Sequence, residues 1–582
     1  MSWRIGVDSG GTFTDVCLFD EAGGIRVWKV PSTPRDPSEA IAGGIARALE
    51  EYGEAPVAYF GHGTTVATNA LIQGRGVATG LITTDGFRDL LEIARQKRPS
   101  LYDLQCDKPT PLVPRRRRLE VAERLRHDGR IETPLDEAAV RAAAYRLKEE
   151  GVEAVAIGFL YAFVDPRHER RAREILEEIL PGVYLSCSHE VAPEFREFER
   201  LSTVVVNAAL GPVMSVYIDR LKGRLADLDI TCPAHITQSN GGIITFETAA
   251  RLPVRTVLSG PSTGVIGAVE IGRLAGSRDL ITFDMGGTST DVALIDQGRP
   301  TLAAENVVQG YPIKAPMLDI NTVGAGGGSI AFIDSGDLLK VGPRSAGADP
   351  GPVCYGLGNS EPTVTDANVV LGVLNPTHLL GGRMPIDRAL AVAAIERLGE
   401  RLGLGVMDTA QGIIAIVTAT MAKAIRVISV QRGHDLRDFA LVAFGGAGPI
   451  HAARLARDLE LSTIIVPPHP GILCAIGLLL TDLRTNYLRT RLAPLAEESL
   501  SAIEETFAGL EAEAVAWFDR EGTAQDARHL RRSVDMRYAG QNYELDVPFP
   551  AGPIDAAMLP RLKEGFEAAH QQLYGYIAPE EP

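Results

Sequence analysis

Short apolar runs alternate with segments of helical periodicity along most of the chain. VAYF (57–60) precedes TTVATNALIQ, and VATGLIT (77–83) precedes FRDLLEIARQ. EAVAIGFL (153–160) leads into a charged helical pattern at 166–179, and VYLSCS (183–188) follows it. Short apolar strands feeding 3.6-period segments predict an α/β fold. RRRRLEVAERLRHDGRIETPL (115–135) breaks the pattern and reads as two strands around Asp128-Gly129. Its four-arginine run, Arg115 to Arg118, reads as a solvated strand end, with a partner or anion contact as the alternative. Helical patterns follow near 199–225, 387–402 and 408–432, and LVAF (441–444) meets a glycine turn and a helix at 450–459. The stretch 498–520 is again helical, and VDMRYAGQNYELDVPF (534–549) alternates as two strands around Ala539-Gly540. A small α+β C-terminal domain therefore begins near 495.

Two hairpin patterns repeat each other. Residues 5–20 read IGVDSGGTFTDVCLFD and residues 281–296 read ITFDMGGTSTDVALID, identical at 10 of 16 positions in a register of 276. Each copy is an apolar run, D-x-G-G-T-x-T-D, and a second apolar run: a strand, a tight glycine turn and a returning strand. The carboxylates and threonines match as well as the glycines, which predicts a duplicated domain with one copy opening each lobe. The expected division is 1–197, 198–494 and 495–582.

Composition narrows the class. Lys plus Arg is 58 and Asp plus Glu 74, a net charge of −16, which argues against a nucleic-acid binder. The six cysteines form no C-x-x-C pair, against zinc ribbons and iron–sulfur cages, and their scatter fits a reducing cytoplasm. The apolar stretch near 471–480 is under half a membrane span, and MSWRIGVDSGG runs directly into a strand, so neither a membrane segment nor a signal peptide is expected.

The hairpin turns carry the strongest chemistry. Glycine lets backbone approach an anion, and successive N–H groups can cradle phosphate oxygens. Gly10, Gly11, Gly286 and Gly287 supply such turns, and Thr12, Thr14 and Thr288 add hydroxyls. Asp8 and Asp284 end their strands beside the turns, where two carboxylates facing each other across a cleft would hold Mg²⁺, mostly through waters. Asp8, Asp284, Thr12 and Thr288 are thus the candidate catalytic set. Asp15 and Asp291 orient the turn or the metal's water shell, with turn capping as the alternative. A third glycine turn, Gly445, Gly446, Ala447 and Gly448, links a strand to a helix. His62, Thr64, Thr65 and Asn69 surround another strand-to-helix turn, suited to an anion or to simple capping. Gly260, Gly326 and Gly327 are expected to line the cleft. Arg88 reads as an exposed helix arginine rather than a charge neutraliser. His451 reads equally as a base contact and a helix cap, and His469 as part of a rigid turn. Cys354 and Cys474 read as packed thiols. No Walker G-x-x-x-x-G-K-[ST] and no H-R-D or D-F-G set is present.

Two phosphate hairpins followed by a late G-G-A-G turn resemble the layout of the actin, chaperone and sugar-kinase superfamily, in which the third loop packs against adenosine. The resemblance implies a two-lobed actin-like ATPase fold of the ribonuclease H type. A narrower resemblance is to the hydantoinase A and 5-oxoprolinase family. It is carried by GVDSGGTFTDV (6–16), GHGTTVATNAL (61–71), SNGG (239–242), LSGPSTGV (258–265), DMGGTSTDV (284–292), NTVGAGGGSI (321–330), VGPRSAGADPGPVCYG (341–356), FGGAGPIHA (444–452) and PPHPGILCAIGLLLTDLR (467–484). This resemblance implies ATP-dependent phosphorylation of a lactam or imide oxygen that activates ring opening, with hydrolysis completed by a B-type partner subunit. Related members carboxylate ketones, and the motifs do not separate the two activities. A nucleotide-switch protein is a third reading. The family extends beyond Pro582, so the last domain is expected to be short or completed by another chain.

Overall fold

The apolar runs become strands of three main sheets in the computed structural model, which describes residues 2–582 apart from 11, 12, 34, 101, 104, 304, 305, 380, 381, 383 and 551. The first sheet is six-stranded. Its centre is Trp3–Ser9, antiparallel to Phe13–Phe19 and parallel to Val57–Thr64. Phe13–Phe19 pairs in turn with Ile25–Pro31. On the other side Ala234–Thr237 joins Val57–Thr64 in parallel and Ile243–Thr245 closes the edge. Ile5, Val7, Val16 and Phe60 are fully buried, as central strands covered on both faces require.

The second copy of the hairpin opens another sheet with the same local pairing. Leu280–Met285 is antiparallel to Thr290–Asp296 and parallel to Ala440–Phe444, which is parallel to Thr463–Ile465. The third sheet is all parallel, in the order Tyr184–Cys187, Ala154–Gly158, Thr79–Thr84, Arg118–Val121. Beyond these, Leu500–Arg520, the hairpin Ser533–Met536 with Leu545–Pro548, and Met558–Tyr574 enclose a small core of Tyr538, Val547, Phe549, Leu562 and Phe566.

Some expectations shift. FRDLLEIARQ gives a single helical turn, Leu90–Ile93, because Ala94 takes φ 52 and reverses the chain. The segment 115–135 splits: Arg118–Val121 joins the parallel sheet, and only Arg124–Leu125 and Ile131–Thr133 pair around Asp128-Gly129. The first sheet takes two strands from 234–245, and the helix Glu197–Ala226 packs into its core, so the division expected at 197/198 falls inside that core. Two helices, Glu197–Ala226 and Val406–Arg432, are long and apolar enough to cross a membrane by length and composition. Their most apolar windows are 78% and 56% buried inside the protein, as core helices are.

The first two sheets meet at a seam made by two helices. Leu473–Leu480 packs on Trp3–Ser9 and Val57–Thr64 of the first sheet and against Gly260–Leu274, which also touches the second sheet. Glycines make this approach possible. A Cβ on Gly477 would sit 2.0 Å from the Thr263 carbonyl oxygen, one on Gly267 would sit 3.0 Å from Leu473, and one on Gly6 would sit 2.5 Å from the Ala475 carbonyl oxygen. Backbone therefore lies against backbone where side chains would hold the sheets apart. Gly477→Ala is expected to lower stability by about 1–3 kcal/mol through overpacking. Gly471→Ala, in open space, should change it by less than about 0.5 kcal/mol. Urea midpoints of the two variants check this, and equal values would contradict it.

Candidate active site

Strand register builds the site. Asp8 lies opposite Asp15 across the first hairpin, and Asp284 lies opposite Asp291 across the second. Each pair sits at a strand end beside its glycine turn, and on a pleated sheet the paired side chains share one face. Asp8, Asp15, Asp284 and Asp291 are half-buried. Burial and the Asp15 charge push Asp8 up to about 7, against the pull of Lys29. Burial and Asp291 push Asp284 up to about 7, with the charges of Asp8 and Asp15 adding to the effect. The two hairpins thus bring their carboxylates close enough to repel one another. Asp291 rises to about 6, mainly by burial, although the Thr322 hydroxyl donates to it. Lys29 holds Asp15 at 2.5 Å, yet burial outweighs that cation and the Asp15 pKa is also raised.

Glycine shapes the space around these groups. A Cβ on Gly63 would lie 2.5 Å from Asp8 Oδ1, and one on Gly445 would lie 2.2 Å from Asp284 Oδ1. The third glycine turn is therefore part of the Asp284 wall. Gly445 adopts φ 82 and donates its N–H to Pro470, while the Ala447 N–H donates to Met285. Gly446 has open space around it, and Gly448 starts the helix Gly448–Asp458. The Cys474 thiol donates to Asp284 Oδ2 at 3.4 Å. With 190 residues between the two, no local pattern brings that thiol here. Cys354 is fully buried, as a packed thiol.

Gly11 and Thr12 lie outside the described residues. Gly10 and Gly286 close their turns with N–H bonds to Phe13 and Ser289, both 3.0 Å. Gly287 and Thr288 are exposed at the tip of the second turn. The glycine-rich loop backs that turn: Gly327 N–H donates to Gly286 and Gly328 N–H to Gly287. A Cβ on Gly326 would strike Thr288 backbone at 2.6 Å. Gly326 and Gly327 are buried supports, a correction to their expected place on the cleft surface. Thr14 is corrected too. It is buried, with its hydroxyl 3.3 Å from that of Ser9 and 3.0 Å from that of Ser32, so it braces the first turn instead of facing a ligand.

His62 is likewise in the core. It is fully buried, its Nε2 lies 2.5 Å from the Tyr217 hydroxyl and its Nδ1 3.1 Å from the Val7 carbonyl. Burial lowers its pKa to about 4, so it is neutral and remote from solvent. Thr64 caps the following turn by accepting the Val66 N–H, Thr65 donates to the Ser9 carbonyl at 3.4 Å, and Asn69 is exposed and donates to Thr65. Gly260, 3.6 Å from the Thr65 methyl by its would-be Cβ, starts the seam helix beside them. Leu258 precedes that helix at φ 60, a costly conformation for a leucine, and its N–H is held by the Thr68 hydroxyl at 2.8 Å. His451 is buried with its pKa lowered to about 4, His469 is exposed, and Arg88 pairs with Glu120 at 3.3 Å. The arginine run is ion-paired: Arg115 with Asp89, Arg116 and Arg117 with Glu150, Arg118 with Glu92.

Hard oxygen donors of this kind fit a magnesium ion, which would offset the burial that raises all four pKa values and the carboxylate charge that adds to it at Asp8 and Asp284. A second cluster, Glu169, Cys187 and His189, also brings ligand atoms within 4.8 Å. There, however, Glu169 already accepts from Phe159 N–H, Ser188, and both the N–H and the ring of His189, as in a buried structural network.

The Hydantoinase/oxoprolinase family model matches residues 200–487, and that of the Hydantoinase/oxoprolinase N-terminal region matches 4–180. The alpha subunit of caprolactamase from Pseudomonas jessenii is 39% identical over 592 residues, covering 100% of this chain and 85% of the relative. The crystal structure of the ATP-dependent caprolactamase from that organism superposes with a TM-score of 0.91 at 39% identity, covering 100% of this chain and 86% of the solved one. 5-Oxoprolinase 1 of Arabidopsis thaliana is 34% identical over 552 residues, 86% of this chain and 43% of the relative. A nucleotide-free structure of acetone carboxylase gives a TM-score of 0.79 at 27% identity, covering 100% of this chain and 86% of that one.

The raised carboxylates make stability depend on pH. With a folded pKa of about 7 against an ordinary 3.8, Asp284 keeps its proton in the folded state after the unfolded chain has released it. Its contribution is complete below about pH 4 and is lost as pH rises through about 7. Asp284→Asn should therefore gain stability relative to the parent protein as pH rises from about 4 to 7.5. Urea midpoints at both pH values read this out, and a pH-independent difference would contradict it.

Proposed function

The chain belongs to the hydantoinase/oxoprolinase family, and on that premise we propose that it is the ATP-using subunit of an ATP-dependent cyclic-amide hydrolase. One observation carries the reading: two copies of one carboxylate-bearing glycine hairpin, from separate sheets, bring Asp8 and Asp284 within mutual electrostatic reach. A polyphosphate bound between two hairpins needs donors from both sides and a cation between them. Gly10, Gly11, Thr12, Gly286, Gly287 and Thr288 form the phosphate cradle in this reading. Gly445, Gly446, Ala447 and Gly448 border the nucleoside side, and Asp8 and Asp284 hold Mg²⁺, with Asp15 and Asp291 fixing their orientation. The repeated pairing in the two sheets supports a duplicated, two-lobed actin-like arrangement followed by a small C-terminal unit from about 495.

The chemistry follows from the stability of an amide. Resonance makes its carbon a poor electrophile and its oxygen a poor leaving group. Transfer of the γ-phosphoryl group to the amide oxygen breaks the bond to the β-phosphate and releases ADP. Water then adds to the activated carbon, the carbon–nitrogen bond opens as the nitrogen takes up a proton, and a second water hydrolyses the resulting acyl phosphate to a carboxylate and free phosphate. Phosphoryl transfer needs in-line positioning and charge neutralisation more than covalent catalysis, and the paired turns suit that demand. The bound Mg²⁺ supplies charge neutralisation at the phosphates.

Ring hydrolysis is assigned to a B-type partner subunit, because the caprolactamase relative is named as one subunit of its enzyme. We place the complex in the cytoplasm, where its six free thiols are stable. The likeness to acetone carboxylase supports one alternative, the nucleotide-binding subunit of a ketone carboxylase. ATP-dependent phosphate release separates the two: stimulation by lactams or cyclic imides supports the hydrolase, and stimulation by a ketone with bicarbonate supports the carboxylase. In the stimulated complex, Asp8→Asn and Asp284→Asn should each cut turnover at least about 100-fold, while ATP affinity changes less than about tenfold. Equal losses in turnover and affinity would remove the carboxylates from the phosphoryl-transfer step. The chain alone should open no lactam ring, and robust ring opening by the purified single chain would place hydrolysis here.

A further inference from the structure

Acids outnumber bases in this chain, 74 to 58, and its half-buried arginines typically have carboxylate partners. Arg196 and Arg537 share Glu544, Arg224 pairs with Asp36, and Arg532 with Glu511. Arg255 and Arg484 depart from this rule. Both are half-buried, and among the described residues neither has a carboxylate within ion-pair distance. Each spends its side chain on one long bond: Arg255 Nη1 to Thr485 Oγ1 at 3.4 Å, and Arg484 Nη1 to the Asn240 carbonyl at 3.5 Å. A guanidinium carries five N–H donors in a rigid fork, so most of this capacity is unspent.

The two arginines are drawn together by the turn 238–242. Ser239 donates its N–H and its hydroxyl to the Arg255 carbonyl, both 2.7 Å. Gln238 donates to the Arg484 carbonyl, and Asn240 donates to Asn486 at 2.6 Å. A Cβ on Gly242 would meet Arg484 Cβ at 2.5 Å, so glycine admits the 484–486 segment here. Each arginine has a second cation near it. Arg251 is near enough to Arg255, and Arg531 to Arg484, for like-charge repulsion to reinforce the lowering that burial causes in both guanidinium pKa values. Tyr487 stands among Arg520, Arg255 and Arg251. The nearby acid, Glu513, is engaged by Arg489 at 2.6 Å. Like charges this near one another are unfavourable unless an anion offsets them.

We propose that Arg255 and Arg484, with Arg251 and Arg531 at the rim, form an oxyanion-binding site between the 238–242 turn and the C-terminal unit. Forked guanidiniums match the paired oxygens of a carboxylate or a phosphate. None of these arginines belongs to the glycine turns or the aspartate pairs, and the ligand in this proposal is a second anion, not the nucleotide phosphates.

Calorimetric titration of the full chain with sodium phosphate and, separately, with sodium succinate tests this, each against sodium chloride of equal ionic strength. Binding of either anion above the chloride baseline is expected, and the one that binds identifies the source. Arg484→Gln and Arg255→Gln should each weaken it at least about tenfold, with ADP affinity unchanged. Arg255→Lys, which keeps the charge but loses the fork, should weaken it as well and guards against a folding defect. No binding beyond chloride, or phosphate binding equal in parent and variants, would overturn the proposal. The second result would assign the phosphate to the glycine turns.

Discussion

Backbone-to-backbone contact at the seam is the constraint on which the site depends. The helices Gly260–Leu274 and Leu473–Leu480 touch through Gly267 and Gly477, and the second lies on the central strand at Gly6. An ordinary pair of helices keeps axes 8–10 Å apart because side chains interdigitate. Removing the side chains at these points lets the first sheet and the second approach from opposite sides of one thin layer. The strand carrying Asp8 and the strand carrying Asp284 are central in their sheets, so drawing the sheets together draws the carboxylates together. Cys474, at the start of the seam helix, reaches Asp284 for the same reason.

That approach has an electrostatic cost. Half-buried carboxylates, two from each hairpin, meet with Lys29 as the cation at 2.5 Å from Asp15. A fold selected only for stability would replace such a group with apolar side chains. Its retention makes sense if a divalent cation and polyphosphate belong between the hairpins, since each would offset the charge of the other. The glycines at 63 and 445 support the same conclusion, because they clear space beside Asp8 and Asp284.

Much of this was legible in the sequence because it is local. The repeated D-x-G-G-T-x-T-D turn predicted two hairpins, and the register of the folded strands then sets Asp8 opposite Asp15 and Asp284 opposite Asp291. The alternation of apolar runs and helical periods anticipated the α/β fold. What escaped was set by long-range packing. His62 and Thr14 look available in a motif, but the fold turns one toward Tyr217 and the other into a hydroxyl network. The glycines at 326 and 327 promised a ligand contact, and their room is filled by the second hairpin at Gly326 and by the Thr365 hydroxyl at Gly327. The strand Ala234–Thr237 crosses the expected 197/198 division because a parallel partner for Val57–Thr64 must return through a crossover. Arg255 and Arg484 stand 229 positions apart, and no spacing rule could pair them.

The seam also limits how the two halves can move. Sliding Leu473–Leu480 along Gly260–Leu274 would drive Gly477 out of its slot against Thr263, and the neighbouring side chains would collide with backbone. Rotation that keeps this contact as a pivot meets no such obstacle. A ligand bridging the two hairpins makes its full set of bonds only when both turns reach it, so it favours the arrangement in which they do. Carboxylate charge from both hairpins opposes that arrangement, and a cation bound as proposed would offset it. If a nucleotide and its cation bind between the hairpins as proposed, the glycine seam is the fixed point about which the two turns would close on them.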